Sequence, residues 1–308
     1  MSDLAPLSLF ICYPFCPRKC AFCARPVTAS PTPTRRRYAD ALIRELESSS
    51  KGAGDQAVSS VRLGGGLPSL ADPRELTDIV ACVKQNYVLA PDAEITLKVL
   101  PDPANRKRYK GWLDAGFNRL DYSMFTGEPF IQRLLGRLCP GAEIYPSEGF
   151  DNIAVDLMFG LPGQTPEIMV KNLAEAVSAG ASHIALHVFA LENDTPLGTL
   201  YANNPAYFSD FPRRRFPTSD QNEETLQKAR EAMRFAGMSE YLPLRFALPG
   251  RESRFELDRF SGGDVLGFGC FAKSRFHGIS FTNTEFVDTY IANSPDFDKI
   301  TAEYSICE

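Results

Sequence analysis

Three cysteines near the N-terminus have the residue type and the spacing of metal ligands. Cys16, Cys20 and Cys23 form the pattern C-x3-C-x2-C in a loop that follows the apolar run of residues 8–13. Three thiolates from one loop suit a four-iron cluster that leaves its fourth iron open. Structural zinc normally takes four protein ligands, and the sequence has no second C-x2-C pair. An unusual zinc site, or three merely buried thiols, is the alternative.

Glycines and one acidic residue mark two other points where a ligand could bind. Gly64, Gly65 and Gly66 follow the apolar residues 58–63, and a backbone without side chains can approach a ligand closely. A plain tight turn is the alternative. Asp156 is the only charge in the apolar run 153–159, and a buried carboxylate needs a partner. The sequence therefore predicts either a ligand-binding aspartate or a structural hydrogen bond there.

An alternation of strands and helices must position these residues. Hydrophobic periodicity predicts strands at residues 8–13, 58–63, 94–100, 119–123, 153–159 and 183–189, each followed by a helix or a long loop. Alternating elements imply a parallel sheet covered by helices. Six units are fewer than the eight of a closed barrel, so we predict an α/β fold with a partial, TIM-like (βα)6 barrel. Residues 1–236 are predicted to form this barrel, and residues 237–308 a small mixed extension that packs on it.

The composition excludes several classes of protein. The chain has 308 residues, of which 44% are hydrophobic, and its net charge is −5. This content is ample for a core, which excludes global disorder, and the acidic balance gives no support to a nucleic-acid surface. No run approaches the eighteen or so apolar residues of a membrane helix, and the N-terminus has no evident secretory signal. We therefore expect a cytoplasmic protein without a membrane span, whose clustered cysteines bind metal.

Five motifs in order resemble those of radical S-adenosylmethionine (SAM) enzymes. The flanking residues are most similar to the oxygen-independent coproporphyrinogen III oxidase family, which includes related heme chaperones. The motifs are Tyr13-Pro-Phe-Cys16 with the cysteine pattern, Gly64-Gly-Gly-Leu-Pro-Ser69, Asp156-Leu-Met-Phe-Gly-Leu-Pro-Gly-Gln-Thr165, Glu192-Asn-Asp-Thr-Pro-Leu197, and Leu266-Gly-Phe-Gly269 with the residues up to Ser274. Together they extend over most of the chain.

The resemblance implies a 4Fe-4S cluster on Cys16, Cys20 and Cys23, with SAM bound at the open iron. It further implies that an electron, delivered by a flavodoxin- or ferredoxin-type donor, cleaves SAM to methionine and a 5′-deoxyadenosyl radical. No residue is assigned as a catalytic acid or base. The residues that the resemblance assigns to SAM are Phe22, Gly64, Gly65, Gly66, Arg137, Asp156, Met158 and Ala190. Of these, Arg137 could equally be a solvated helix residue, and Met158 and Ala190 could belong to the core.

The sequence departs from the family at several cofactor positions. Cys12 stands where the family usually has histidine, Phe10 where it has tyrosine, and Lys98 where it has a glutamate that meets the ribose hydroxyls. Phe125 lies in a segment, residues 123–127, that lacks the family's glutamine. About two helical turns are missing after Arg137, where Cys139-Pro-Gly141 replaces a helix. The C-terminus lies about where the family begins its helical accessory domain.

These departures leave three functions open. The first is a radical SAM enzyme that acts on a small molecule such as a tetrapyrrole, as an oxidoreductase or as a methyltransferase. The second is a non-catalytic heme-binding or trafficking protein, and the third is a structural zinc protein. The run Arg213-Arg214-Arg215 lies in a predicted long loop near the barrel mouth, where it could meet anionic substituents of a substrate. A solvated surface is the alternative for this run.

Overall fold

The fold is taken from a computed structural model, which describes residues 6–137 and 148–306. Cys139, Pro140, Gly141 and Cys307 lie outside the described residues. The strands are β1 (Leu7–Tyr13), β2 (Val58–Gly65), β3 (Leu89–Val99), β4 (Arg119–Phe125), β5 (Ile153–Phe159), β6 (His183–Val188), β7 (Ser239–Leu242), β8 (Arg245–Ala247), β9 (Asp264–Phe268), β10 (Lys273–Phe276), β11 (Ile279–Asn283) and β12 (Thr301–Ile306). The helices are α1 (Thr32–Ala53), α2 (Pro73–Asn86), α3 (Tyr109–Ala115), α4 (Pro129–Leu134), α5 (Pro166–Ser178), α6 (Pro196–Asn203), α7 (Ala206–Ser209), α8 (Ser219–Phe235), α9 (Arg254–Phe260), α10 (Val287–Asn293) and α11 (Phe297–Ile300). None of these helices is long and apolar enough to cross a membrane.

All the described strands belong to one sheet. Its order is β12-β11-β10-β9-β1-β2-β3-β4-β5-β6-β8-β7. The strands β1 to β6 are consecutive and parallel, and helices connect them, as the alternation predicted. The α/β fold with a predominantly parallel sheet is therefore confirmed. The sheet also contains strands from both sides of the predicted boundary at residue 236, and that boundary stays a prediction.

Local sequence signals explain where the helices begin. Asp72 caps α2: its carboxylate accepts a hydrogen bond from the Arg74 amide at 2.9 Å, and Glu75 accepts one from the Asp72 amide at 3.2 Å. This capping box satisfies amides that the helix leaves without partners. Thr165 caps α5 in a similar way. Helix α8 is capped by Thr218, whose hydroxyl accepts a hydrogen bond of 3.3 Å from the Gln221 amide.

Two features of the structure, the start of helix α1 and the strand β9, do not follow from hydrophobic periodicity alone. Helix α1 begins at Thr32, inside the Pro/Thr-rich stretch, because proline is well tolerated in the first turn of a helix. Strand β9 was not predicted, yet it pairs parallel to β1 along residues 264–268. Its sequence contains a glycine and only three apolar residues, so its hydrophobic periodicity gives little indication of a strand. Long-range pairing with β1 supplies what the local sequence lacks.

The parallel strands alternate between an apolar and a polar face. The apolar face, which includes Leu9, Ile11, Leu97 and Leu157, belongs to the main hydrophobic core. The opposite face carries buried polar side chains, which are Ser8, Ser60, Glu94, Lys98, Asp121, Asp156 and His183. Strands of a parallel sheet are usually apolar on both faces. A buried polar face on six neighbouring strands therefore marks the interior where chemistry is most easily placed.

Curvature of the sheet makes this polar face concave. Strands β2 and β6 are four positions apart, which is roughly 19 Å in a flat sheet. Yet the carboxylate of Glu256 lies 3.8 Å from Nη1 of Arg62 on β2 and 3.9 Å from Nε2 of His183 on β6. One side chain can meet both strands only if the sheet curls around it. This arrangement fits the predicted partial barrel, and we call its inside the concave polar face.

Helix α9 closes one end of the concave polar face. Its Phe255 ring lies 6.0 Å from the ring of Phe10 on β1, and Asp258 accepts a hydrogen bond of 2.9 Å from Ser8. Ser253, the N-cap of α9, lies 3.4 Å from Glu94. Ser8 and Glu94 both lie near the N-terminal halves of their strands. Helix α9 therefore covers the base of the barrel, opposite the end where the cysteine loop emerges.

Candidate functional site

The cysteine loop is fixed at its base and at its tip. It leaves β1 at its carboxyl end, which is the usual place for ligand sites in parallel sheets. Thr28 closes the base, because its amide donates to the Pro14 carbonyl at 2.9 Å and its carbonyl accepts from the Cys16 amide at 3.0 Å. At the tip, the Ala21 amide donates to Leu135 and its carbonyl accepts from Leu197, both at 2.8 Å. The loop is thus held against α4 and α6.

The three predicted ligands share this loop as free thiols. Cys16, Cys20 and Cys23 are half-buried, and their role as cluster ligands stays a prediction. Burial, together with the neighbouring Cys20 and Cys23, raises the pKa of Cys16 to about 11. Among the residues that the structure describes, no three His, Cys, Asp or Glu side chains are arranged to hold a single metal ion. The fit of the three cysteines to a cluster therefore rests on their shared loop and its electrostatics.

Arg137 faces the thiols from the end of α4. Its Nη1 lies 3.7 Å from the Cys20 sulfur, and its other terminal nitrogen donates to the carbonyl of Ser123 on β4. The guanidinium also stacks 4.1 Å from the ring centre of Phe125. Arg137 is buried, which excludes the alternative of a solvated helix arginine. Arg137 acts to lower the pKa of Cys16 against the larger effect of burial, and the thiolate is the form of cysteine that binds metal.

The glycine segment packs against the cysteine loop and β1. The Gly66 amide donates to the Tyr13 carbonyl at 2.9 Å, and a Cβ on Gly66 would lie 2.6 Å from the Phe15 carbonyl oxygen. Gly65 has a φ of 84°, which strongly favours glycine. Its carbonyl accepts a hydrogen bond of 3.1 Å from Arg25, which follows the last cysteine. Contact with the loop therefore already requires glycine at these two positions. A role in SAM binding stays a prediction.

Two of the other predicted SAM residues lie together, and one lies apart. Phe22 packs with Phe125 and Phe189, at ring-centre distances of 5.7 and 6.0 Å. Met158 belongs to the same hydrophobic cluster and is buried. Ala190 is exposed, two residues after the end of β6. The aromatic cluster thus connects the cysteine loop to the carboxyl ends of β4, β5 and β6.

Asp156 lies at the centre of an ion-pair network on the concave polar face. Its carboxylate contacts the ammonium of Lys98, which also lies 3.2 Å from Asp121. Asp121 in turn contacts Arg62. Oδ1 of Asp156 lies 3.2 Å from Nε2 of His187, without the alignment of a hydrogen bond. The predicted alternatives for Asp156 were a ligand and a structural hydrogen bond, and the structure supplies internal partners.

The network holds Asp156 as a carboxylate. Burial by itself would raise the pKa of this group, but Lys98, His187 and Arg62 outweigh burial and hold the pKa well below its usual range. The pKa of His183, on the same face, is also lowered, but for a base a lower pKa favours the neutral form. Burial, reinforced by Arg119, holds the pKa of His183 well below its usual range, so its ring is neutral. The face therefore combines fixed ions with a neutral imidazole.

Sequence reasoning missed several members of this network. Arg62 and Asp121 are charges at inward positions of the strands β2 and β4. Asp156 was singled out as the only charge of an apolar run, whereas β2 also contains two serines and β4 a second charge, so the signal was weaker for these two residues. Arg25 had no comparable signal, because its contact with Gly65 joins two loops that only the tertiary fold brings together.

The segment 203–218 is more ordered than the predicted long loop. It contains the end of α6, helix α7 and a 3-10 turn at Pro212–Arg214. Arg214 stacks over two rings, 4.0 Å from the centre of Tyr207 and 4.6 Å from that of Phe211. The aromatic residues of this segment thus hold the guanidinium of Arg214 in place by stacking.

Comparison with known families identifies the architecture. The profile described as the radical SAM superfamily matches residues 10–176, which is more than half of the chain. The proteins named heme chaperone HemW from Bacillus subtilis and from Escherichia coli are 27% and 26% identical to the chain. The alignments cover 92% and 89% of this chain, and 75% and 71% of those proteins.

Two further comparisons extend the similarity. The mouse protein named radical S-adenosyl methionine domain-containing protein 1, mitochondrial, is 28% identical over 87% of this chain and 60% of its own length. A solved structure of the Escherichia coli coproporphyrinogen III oxidase HemN, described as a radical SAM enzyme, matches with a TM-score of 0.77 at 21% identity. It covers 99% of this chain and 73% of that one, and at this identity the match shows a shared fold.

Proposed function

This chain belongs to the radical SAM superfamily, and we propose on that basis that it binds a 4Fe-4S cluster and cleaves SAM reductively. The observation that carries the proposal is the loop with Cys16, Cys20 and Cys23, fixed at the carboxyl end of β1 beside a buried arginine. When bound, the cluster supplies one electron that breaks a carbon–sulfur bond of SAM and releases a 5′-deoxyadenosyl radical. The cytoplasmic location and the flavodoxin- or ferredoxin-type donor are parts of the same proposal.

The chain's own residues would bind and orient the cofactors. Cys16, Cys20 and Cys23 would ligate three irons, and Arg137 would neutralise part of the negative charge on their sulfurs. Phe22 and Met158 would contact the adenine from the aromatic cluster, which also excludes water from the radical. Gly64, Gly65, Gly66, Asp156 and Ala190 are the remaining proposed SAM contacts.

Anaerobic reconstitution tests this function. We expect the protein reconstituted with iron and sulfide to hold about four irons, to absorb near the visible band of a 4Fe-4S cluster, and to form 5′-deoxyadenosine when dithionite and SAM are added. Cys20→Ser should lose the cluster. Cys82→Ser, on α2 in the core, removes a thiol remote from the loop and should keep it. S-adenosylhomocysteine as a product would identify a methyltransferase.

Other outcomes of this experiment contradict the proposal. Stoichiometric zinc after metal-replete expression, with a colourless protein, would identify the structural zinc protein instead. If the protein holds four irons but cleaves no more SAM than Cys20→Ser does, the proposed enzymatic activity is wrong, whereas the proposed binding of the cluster stands.

A second candidate function is heme binding and delivery, which the names of the HemW relatives favour. The chain supports it with a line of aromatic contacts from Phe22 through Phe189, Phe216 and Phe208 to Tyr207. Arg214 lies at the end of this line, and the nearby Phe211 is 54% exposed. A guanidinium held on aromatic rings at the protein surface suits a ligand that combines an apolar ring system with carboxylate substituents.

Spectral titration with hemin tests this second function. We expect saturable binding that Arg214→Ala weakens by about tenfold, whereas Arg234→Ala, at the exposed end of α8, leaves it unchanged. Saturable binding together with no cleavage of SAM would favour the carrier over the enzyme. Hemin binding that both variants leave unchanged would contradict the proposed surface.

A further inference from the structure

We infer that Lys98 determines the charge preference of the concave polar face. The proposed SAM site then discriminates little between SAM and its uncharged thioether, S-adenosylhomocysteine. The inference rests on the proposed function, because it concerns the ligand of that same site. In the sequence, Lys98 is a departure from the family's glutamate, and nothing in the proposed chemistry uses it. Its contacts in the structure show what it does instead.

Lys98 balances the charges of an otherwise acidic interior. The ionised side chains that pair with one another on this face are four acids and four bases: Glu94, Asp121, Asp156, Glu256, Arg62, Lys98, Arg119 and Arg245. The formal charge of these eight side chains is zero. A glutamate in place of Lys98 would turn it into −2, and a neutral residue would turn it into −1.

The position of Lys98 makes its charge effective. The side chain is only 11% exposed, so little solvent screens it. Its ammonium contacts Asp156 on β5, the residue that the family resemblance assigns to SAM, and it also contacts Asp121 on β4. The carboxylate that would attract a positively charged ligand is therefore already neutralised by a neighbour on β3.

The charge of the ligand then decides how much this matters. SAM and S-adenosylhomocysteine share the adenosine, the amino group and the carboxylate, but SAM carries a sulfonium where the thioether is neutral. A negative interior favours the sulfonium, whereas a balanced interior favours neither ligand by long-range attraction. The ratio of the two dissociation constants therefore isolates the effect of Lys98 from the contacts that the two ligands share.

Equilibrium dialysis of both ligands against the anaerobically reconstituted holoprotein tests the inference. For the wild-type protein we expect the two dissociation constants to agree within about threefold. For Lys98→Met we expect the preference for SAM to rise by about tenfold, because the interior gains one uncompensated negative charge. Lys98→Arg keeps the charge and should leave the preference at the wild-type value.

Lys228→Met is the matched control. It also removes one ion-paired lysine, but this lysine lies on α8 and pairs at the surface with Glu167 and Glu224. It should leave the ratio unchanged. Thermal unfolding of every variant verifies the fold, and Lys98→Gln replaces Lys98→Met if the methionine variant does not fold.

The outcomes separate the inference from the proposed function. If the wild-type protein binds SAM but Lys98→Met leaves the ratio unchanged, or if the wild type already prefers SAM by far more than threefold, the inference is overturned while the function stands. If neither ligand binds and no SAM is cleaved, the proposed function is wrong and the inference is lost with it.

Discussion

The ammonium of Lys98 on β3 contacts the carboxylate of Asp156 on β5, across the strand β4 that separates them. Two charges on strands that are not neighbours meet because the sheet is curved and both side chains point to its concave polar face. Pairs of this kind stabilise a fold only when each ion keeps a partner, since an unpaired buried charge is costly. This condition leads to the first prediction.

Asp156→Asn should destabilise the fold. Lys98 keeps Asp121 as a partner, so we expect a loss of about 2 kcal/mol in the free energy of unfolding rather than the larger cost of a fully unpaired charge. Urea denaturation at pH 7 measures this difference. In Asp296→Asn the lost ion pair with Lys299 is at the surface, and the change should stay below about 0.5 kcal/mol. Equal effects of the two substitutions would contradict the interpretation.

Gly66→Ala should disturb the cysteine loop. The added Cβ would lie 2.6 and 2.8 Å from the carbonyl oxygens of Phe15 and Tyr13, and backbone atoms cannot move away cheaply. We expect a loss of about 2 kcal/mol or more in stability and a lower iron content after reconstitution. Gly52→Ala is the control, because a Cβ there has no neighbour within 4 Å. A Gly66→Ala protein with normal stability and iron content would show that the loop is not held here.

Arg137→Lys should weaken the hold on the cluster although it keeps the charge. Lysine is unable to stack on Phe125, donate to Ser123 and face Cys20 with one planar group. We expect the iron to be removed by a chelator about tenfold faster, which is followed by absorbance. Arg133→Lys, at an exposed position of α4, the helix that precedes Arg137, should behave as the wild type. An unchanged rate for Arg137→Lys would mean that charge alone suffices.

The neutral His183 should make the stability of the protein depend on pH. Because burial holds its pKa in the folded state well below the unfolded value of about 6.5, only the unfolded state takes up this proton as the pH falls below 6.5. The free energy of unfolding should then decrease by as much as about 1.4 kcal/mol per pH unit between pH 6.5 and 5. His183→Gln, which keeps a polar group near Tyr241, should remove this slope.

Denaturation of the variants at several pH values checks this prediction. His277→Gln is the control, since this ring is more than half exposed and its substitution should leave the slope unchanged. A slope that persists in His183→Gln would assign the pH dependence to another group.

The sequence predicted the parallel core well because its signals are local. The six strands β1 to β6 have apolar runs bounded by turns, and the box formed by Asp72 and Glu75 fixes the start of α2 without any tertiary contact. The cysteine spacing is local as well, since all three thiols lie within eight consecutive residues, 16–23. This spacing alone indicated a cluster, and the superfamily match includes the loop.

The network around Lys98 was not predictable, because its members come from different strands. The network joins Arg62, Lys98, Asp121 and Asp156, which are far apart along the chain and become neighbours only through the pairing and the shared face of β2 to β5. The sequence did show that Lys98 departs from the family. It did not show that this lysine pairs with both Asp121 and Asp156, because the sequence does not reveal which carboxylates lie near it.

Helix α9, which covers the base of the barrel, has a kinetic consequence. If the deep part of the concave polar face is reached only from the end beside the cysteine loop, which we call the mouth, ligands must bind in a fixed order. The ligand that binds last must then be the first to leave. A ligand bound near the base would then be enclosed by SAM, which the proposed function places at the mouth beside the cysteines. Such a compulsory order is visible in steady-state inhibition patterns, where a dead-end analogue of the outer ligand traps the inner one.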